Sequence, residues 1–131
     1  MARLLLDQHR MRWQTSLIDR AFRFGADALR LAPRLGRHGP EYVHVSKQLY
    51  RSATSIGANL EEGQVAMSRR DMGLKHAIAL REAREAVYWI RLLIDAGVMA
   101  AELEPLRREG SEIVAMLTAS VRKLREQKSE A

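Results

Sequence analysis

Residues 48–63 of the chain read QLYRSATSIGANLEEG, and this stretch decides the fold. Its larger apolar residues recur every three to four positions, which is the spacing of one face of an α-helix. Small side chains surround that face, so the backbone of a neighbouring helix can come close to it. The stretch therefore predicts a helix that packs tightly inside a bundle. The predicted apolar face consists of Val45, Leu49, Ala53, Ile56 and Leu60.

The same helical periodicity continues on both sides of this stretch. Pro40 is well placed to begin the second helix, and Gly63 is well placed to end it. Ser68 is typical of a helix N-cap, Gly97 of a helix stop, and Pro105 of a first helical residue. These signals predict four helices, which span about residues 11–36, 41–63, 68–97 and 105–126, with Leu4 as an alternative start of the first helix.

Four amphipathic helices with short connections predict an all-α fold, an antiparallel up-and-down four-helix bundle. A chain of 131 residues is expected to form a single domain, residues 1–131. The chain contains no cysteine, which excludes disulfides and thiolate chemistry. No stretch without a charged residue exceeds nine residues. A membrane span needs about twenty, so we expect no membrane partner and a cytoplasmic protein.

The chain is basic, with 22 Lys and Arg residues against 16 Asp and Glu residues. Residues 1–37 contain eight basic and three acidic residues, and so hold most of the net charge of +6. Five arginines of the first helix share one face. This stripe is either an ordinary solvated face or a surface that follows the phosphates of RNA or DNA. If the stripe is only a solvated face, the basic C-terminal turns at Arg122, Lys123 and Arg125 are the alternative candidates. The candidate nucleic-acid-binding residues are Arg20, Arg23, Arg30, Arg34 and Arg37.

Tyr88 and Trp89 are adjacent, so on a helix they point about 100° apart and cannot both face one core. Aromatic residues are enriched at subunit interfaces. We therefore predict that one of the two rings contributes to an oligomer interface; the alternative is a partly exposed ring at the edge of the bundle.

Asn59 lies on or beside the apolar face of the second helix, where we expect it to cross-link two helices, since a buried amide needs partners.

Signatures of catalysis are absent from the sequence. There is no nucleophile motif and no glycine-rich phosphate loop, and the hydroxyls around Ser52 are better explained as bonds to preceding helix carbonyls. Glu41-x-x-His44 is one half of the pattern that a di-iron bundle needs. We predict no catalytic residue, cofactor or metal site, with a metal-dependent bundle enzyme as an alternative.

Ten residues of the opening stretch match the pattern Q-L-x-R-S-x-x-S-I-x-x-N-[IL]-x-E-G. A second block at residues 82–93 is similar to E-A-x-E-x-x-Y-W-[IL]-x-L-L. The chain thereby resembles the bacterial four-helix bundle proteins of ribosomal RNA intervening sequences. That family includes the accessory variability proteins of diversity-generating retroelements. The ten matching residues are Gln48, Leu49, Arg51, Ser52, Ser55, Ile56, Asn59, Leu60, Glu62 and Gly63.

The resemblance implies the same bundle, a homopentameric assembly and no established enzyme activity. Retroelement members of the family work with a reverse transcriptase and bind nucleic acid through basic surfaces. We therefore predict a non-enzymatic oligomeric adaptor for nucleic acid or for such an enzyme. The alternative is a purely structural protein–protein scaffold. The resemblance also marks a polar signature, for which we expect a structural role: Arg51, Ser52, Ser55, Asn59 and Glu62.

Overall fold

The computed structural model describes the backbone of residues 2–129 and the side-chain surroundings of residues 16–126. Four helices and no strand occupy this part of the chain. Consecutive helices pack against each other, and α1 meets α4 over a smaller contact that closes the bundle. The predicted four-helix bundle is confirmed. Its helices are α1 (Ala2–Gly36), α2 (Pro40–Gln64), α3 (Arg69–Asp95) and α4 (Ala100–Ser129).

The core is built from the apolar faces of all four helices. On α2, Leu49, Ala53, Ile56 and Leu60 are buried, as the periodicity predicts. Each large side chain removed from water in this way stabilises the fold by about 1.5–3 kcal/mol. The largest fully buried side chains on the other helices are Leu17, Phe24, Leu35, Ile90, Leu93, Leu103, Ile113 and Leu117.

Two glycines let α1 and α2 approach closely. A Cβ atom on Gly25 would lie 3.2 Å from the Cα atom of Thr54, and one on Gly57 would lie 3.5 Å from the backbone nitrogen of Phe22. Larger residues at these positions would push the two backbones apart. The close approach predicted from the small residues of α2 is therefore present, and its partner is α1 of the same chain.

The predicted end of α3 and the N-cap of the same helix are confirmed. Gly97 has a φ of 78° and donates a hydrogen bond to the Ile94 carbonyl at 3.0 Å. Val98 donates to the Leu93 carbonyl, also at 3.0 Å. This pair of bonds is a Schellman motif, which only a residue tolerant of positive φ can support. At the other end of α3, the Ser68 hydroxyl accepts a hydrogen bond from the Asp71 amide at 3.1 Å.

Helix α1 begins at Ala2, close to the earlier of its two predicted starts, Leu4 and Met11. The predicted start of α4 is wrong, because this helix begins at Ala100 rather than at Pro105. Met99, with a φ of 50°, turns the chain directly into α4 and accepts hydrogen bonds from the amides of Glu102 and Leu103. Pro105 thus lies inside the helix, where its missing N–H removes one backbone hydrogen bond.

The predicted role of Gly63 as a helix stop is also wrong. The helix continues through Gly63 to Gln64, and Val65 caps it. Gly63 is buried against α3, where a Cβ atom would lie 3.3 Å from Cδ2 of His76 and 3.4 Å from Cβ of Lys75. The glycine therefore serves the packing of α2 on α3.

Candidate functional site

The arginine stripe of α1 lies beside α4, and α4 supplies carboxylates to it. The Arg20 Nε atom donates to Oε1 of Glu109 at 2.9 Å, and its Nη2 atom contacts both Glu109 and Glu112. Its Nη1 atom lies 3.4 Å from the sulfur of Met116. Hydrogen bonding to Glu109, and then to Glu112, raises the pKa of the Arg20 guanidinium. Arg20 is thereby a link between two helices.

Two further arginines of the stripe are paired. Arg30 forms an ion pair with Asp27, three residues earlier on α1. The Arg34 Nη2 atom lies 2.6 Å from a carboxylate oxygen of Glu102 on α4. Three of the five stripe arginines are thus neutralised, and the remaining two, Arg23 and Arg37, form no ion pair with another described residue. The role of the stripe in nucleic-acid binding stays a prediction.

The charged members of the polar signature tie α2 to α3. Arg51 forms an ion pair with Glu85 and a longer one, 3.4 Å, with Oε2 of Glu82. Glu62 forms an ion pair with Lys75, whose Nζ atom lies 2.6 Å from the Oε2 atom of Glu62. Both partners belong to α3, so the two charges of the signature hold the second and third helices together at separate levels. The structural role of the signature as a whole stays a prediction.

The uncharged members of the signature bond to their own helix. The Ser52 hydroxyl donates to the Gln48 carbonyl at 2.9 Å, and the Ser55 hydroxyl donates to the Arg51 carbonyl at 2.8 Å. The Asn59 side-chain amide donates to the Ser55 carbonyl at 2.8 Å. The expected cross-link from Asn59 to another helix is wrong, because this half-buried amide finds its acceptor one turn earlier on α2.

Tyr88 and Trp89 diverge as their adjacent positions predict. Tyr88 is 52% exposed, whereas Trp89 is half-buried and donates its indole N–H to Oε2 of Glu85 at 3.2 Å. The two rings meet edge to face with centroids 5.3 Å apart. Trp89 therefore joins the Arg51–Glu85 pair, and Tyr88 is left on the outer surface. Its place in an oligomer interface stays a prediction.

A second cluster of arginines lines a groove between α3 and α4, which we call the arginine groove. Its volume is about 550 Å³. Arg81 and Arg84 come from α3, and Arg122 and Arg125 come from α4. All four are exposed, and none forms an ion pair with another described residue. The remaining lining residues are Ala77, Leu80, Thr118, Val121 and Glu126.

A buried polar pair lies next to the floor of the groove. His76 precedes the lining residue Ala77, and its Nδ1 atom lies 2.7 Å from the hydroxyl oxygen of Ser120 on α4. Both residues are buried. Burial lowers the pKa of the His76 imidazole, because the charged form loses its hydration. The pair links α3 to α4 in the interior of the bundle, one residue along each helix from the lining residues Ala77 and Val121.

The half motif Glu41-x-x-His44 is exposed at the start of α2. Among the residues that the structure describes, no group of three or more histidine, aspartate or glutamate side chains is placed to hold a metal ion. Within the same part of the chain, no helix combines the length and the apolarity that a bilayer span requires.

Comparison with known proteins places this geometry in a family. The model of the 23S rRNA-intervening sequence protein family matches residues 14–119, which include the polar signature and both aromatic rings. The chain belongs to this family. The match contains the α3 wall of the arginine groove and ends before Arg122 and Arg125, so the α4 wall of the groove lies outside the matched segment.

A solved structure supports the assignment to the 23S rRNA-intervening sequence proteins. It is a protein of unknown function from the S23 ribosomal protein family of Bacteroides thetaiotaomicron, with 34% sequence identity and a TM-score of 0.76. The similarity covers 84% of this chain and 98% of the other. No curated protein matches the sequence. Neither the family description nor that of the structure names an enzymatic reaction.

Proposed function

We propose that this member of the 23S rRNA-intervening sequence protein family is a non-enzymatic, oligomeric helical adaptor of the cytoplasm. It binds nucleic acid, or an enzyme acting on nucleic acid such as a reverse transcriptase, through a basic surface. One observation carries the proposal: four exposed arginines gather on one groove, and no described carboxylate pairs with them. Unpaired arginines in a cluster favour an anionic partner.

The chemistry of arginine supports a phosphate-bearing partner. Its planar guanidinium presents a fork of donors that matches phosphate oxygens, and it stays charged at every physiological pH. The chain carries an excess of six positive charges, so its field also attracts polyanions from a distance. Contacts of this kind address the backbone of a nucleic acid, so we expect little sequence preference.

Assembly would multiply this effect. The family resemblance favours a homopentamer, and the exposed Tyr88 and the neighbouring exposed Leu92 offer apolar surface on the outside of α3. Five copies of a basic groove on one particle would bind a long nucleic acid with avidity that a single bundle lacks. The oligomer and the binding surface are therefore two parts of one proposal.

Fluorescence anisotropy with labelled RNA and DNA, from about 50 to 200 mM salt, tests the binding. We expect binding at low salt that weakens as the salt concentration rises. For each phosphate contact, a tenfold rise in salt should lower log K by about 0.7 on single strands and by about 0.9 on duplex DNA. Light scattering at micromolar concentration tests the assembly, with an expected mass of about five times the 14.9 kDa of one chain. Absence of binding at 50 mM salt would overturn direct binding of nucleic acid, and an enzyme that acts on nucleic acid would then be the partner to test.

A purely structural protein–protein scaffold is the second candidate. It is favoured by the large exposed apolar side chains, among which Phe22 is 69% exposed, Leu29 53% and Met67 96%. Such side chains mark a surface that partners can cover. An assembled protein that binds no nucleic acid at low salt would favour the scaffold.

A further inference from the structure

We infer that the arginine groove binds a single-stranded nucleic acid, with phosphates on its two arginine walls and a base or sugar on its apolar floor. This inference rests on the proposed function and specifies both its site and its class of ligand. It departs from the arginine stripe of α1, which periodicity marks in the sequence and which carboxylates largely neutralise.

The walls of the groove are arranged for an extended anion. Arg81 and Arg84 are three residues apart, as are Arg122 and Arg125, so the members of each pair are neighbours on their helix surface. The two pairs stand on different helices and line the same space. A chain of phosphates that lies along the groove can therefore meet guanidinium groups on both sides. Each guanidinium can bind a phosphate with two parallel hydrogen bonds.

The shape of the groove favours one strand over two. Helices that pack together have axes about 8–10 Å apart, so the space between their outer faces is a narrow concave channel. A duplex is a convex rod whose phosphates lie on ridges beside grooves about 6 and 12 Å wide. It would touch the rims of the channel and leave the floor empty. A single strand can enter it.

The floor gives the groove a second kind of contact. Ala77, Leu80 and Thr118 are half-buried, and Val121 is buried, so the floor between the arginines is mainly apolar. The floor contains no aromatic ring, so a base or sugar would contact its aliphatic side chains, and the planes of the arginines can stack on unpaired bases. This stacking favours a nucleotide chain over an acidic peptide, because a carboxylate engages a guanidinium only at its edge.

Anisotropy with a 12-nucleotide single strand, the matching duplex and an acidic peptide of equal charge tests the inference. The groove variant is Arg84→Gln with Arg122→Gln, and the matched control is Lys47→Gln with Arg91→Gln, which removes two exposed positive charges of α2 and α3 that lie outside the groove. At 50 mM salt we expect the groove variant to lose at least about tenfold in affinity. Each phosphate contact contributes about 0.7 to the slope of log K against log salt. The loss of two contacts should therefore make this slope shallower by about 1.4. The control should stay within about twofold of wild type.

A third variant separates the floor from the charge. Ala77→Leu narrows the channel with a side chain that offers no ring for stacking and leaves every arginine in place, so we expect it to weaken single-strand binding without changing binding to the duplex. Circular dichroism and light scattering confirm that each variant keeps its helices and its oligomeric state. Crosslinking of 4-thiouridine RNA to the wild-type protein needs no variant, and we expect it to label peptides of α3 and α4.

The possible results distinguish the inference from the proposed function. Wild-type protein that binds no nucleic acid overturns both the inference and the direct binding of nucleic acid in the proposed function. Binding that the groove variant and the control reduce equally, or crosslinks confined to α1, overturns the inference and leaves the proposed function standing. If the duplex binds as tightly as the single strand, the inference is likewise overturned and the proposed function still stands. An acidic peptide bound more tightly than either would show that the groove takes a protein partner.

Discussion

Helix α4 contacts α1 on one side and α3 on the other. Towards α1 it presents Glu102, Glu109 and Glu112, which hold Arg34 and Arg20. Towards α3 it contributes two arginines to a groove in which no arginine is paired with a described residue. The same side chain thus connects helices along the α1–α4 seam and stays available along the α3–α4 seam. Whether an arginine can bind a ligand depends on what the neighbouring helix places beside it.

The two seams also differ in how they are packed. Along the α3–α4 seam His76 bonds to Ser120, and a Cβ atom on Gly110 would lie 2.9 Å from Cγ2 of Val87. The same Cβ atom would lie 3.2 Å from the Phe24 ring, so α4 is also close to α1 at this glycine. Among the described residues, the α1–α4 contact is the smallest between neighbouring helices, and ion pairs span it at the surface. A buried polar bond therefore holds the seam that carries the arginine groove, and surface charge supports the seam with the smaller contact.

The largest effect is expected at Gly110, where α4 approaches both neighbours. Gly110→Ala places a methyl group 2.9 Å from Val87 and 3.2 Å from the Phe24 ring, and it should destabilise the protein by about 2 kcal/mol, as overpacking does. Urea unfolding measures the loss. The matched control is Gly73→Ala on α3, where the nearest atom is 3.8 Å away, and a gain of about 0.5–1 kcal/mol is expected from helix propensity. Equal effects at the two glycines would contradict the tight α3–α4 seam.

A smaller loss is expected at Arg20, in the α1–α4 seam. Arg20→Ala leaves Glu109 and Glu112 without their shared cation and should lower the free energy of unfolding by about 1 kcal/mol, because ion pairs in a network exceed single exposed pairs. The control is Arg23→Ala, one turn away and unpaired, which should change stability by less than about 0.5 kcal/mol. If 1 M salt removes the difference between the variants, the Coulombic origin is confirmed. A loss as large at Arg23 would refute it.

Removing carboxylates from the α1–α4 seam should leave an arginine there available to bind phosphate, as in the groove. Glu109→Gln with Glu112→Gln releases Arg20, so we expect single-strand affinity at 50 mM salt to rise by about two- to fivefold, from one further phosphate contact. Anisotropy measures the change. Glu41→Gln with Glu61→Gln alters the net charge equally at exposed sites and serves as the control. The comparison between seams fails if both double variants raise the affinity to the same extent.

The smallest effect concerns acid sensitivity of the α3–α4 seam. Burial lowers the pKa of His76, so as the pH falls the unfolded chain takes up this proton before the folded protein does. The stability linked to His76 is therefore complete above the unfolded pKa of about 6.5 and declines as the pH falls below it towards the folded value. Urea unfolding between pH 8 and pH 5.5 should show a steeper decline for wild type than for His76→Gln.

Exposed His44 provides the control, since His44→Gln should leave the slope of the wild type unchanged. The ion pairs named along the α1–α4 seam involve no histidine, so Arg20→Ala should shift the whole curve of stability against pH without changing its slope in this range. Parallel curves for wild type and His76→Gln would show that the buried imidazole does not couple to folding.

Local signals in the sequence predicted local structure well. The spacing of Leu49, Ile56 and Leu60 identified the buried face of α2, because helical periodicity and burial depend on neighbours within two turns. Gly97 and Ser68 identified their helix ends for the same reason, since a cap needs only the adjacent residues. Pro105 gave the wrong start for α4, because Val98 and Leu103 are buried around the preceding turn. Their burial favours a helix that begins before the proline.

The candidate site could not be predicted in the same way. Arg20 and Glu109 are 89 residues apart, and a single sequence contains no signal that joins them. Arg81 and Arg122 meet across one groove only because α3 and α4 pack antiparallel in a particular register. The sequence showed five arginines on one face of α1 and could not show that carboxylates of α4 neutralise part of them.

The order of contacts around the bundle has a consequence for how the chain folds. Each helix packs mainly on the next one along the chain, so most contacts join residues of small sequence separation, and such topologies fold in microseconds to milliseconds. The contact between α1 and α4 is the exception, because it closes a loop of nearly the whole chain and bears the highest entropy of closure. We therefore expect folding to proceed hairpin by hairpin and to finish when the first helix meets the last. In the folded protein, we expect the amide protons of α1 and α4 along this seam to exchange before those of α2 and α3.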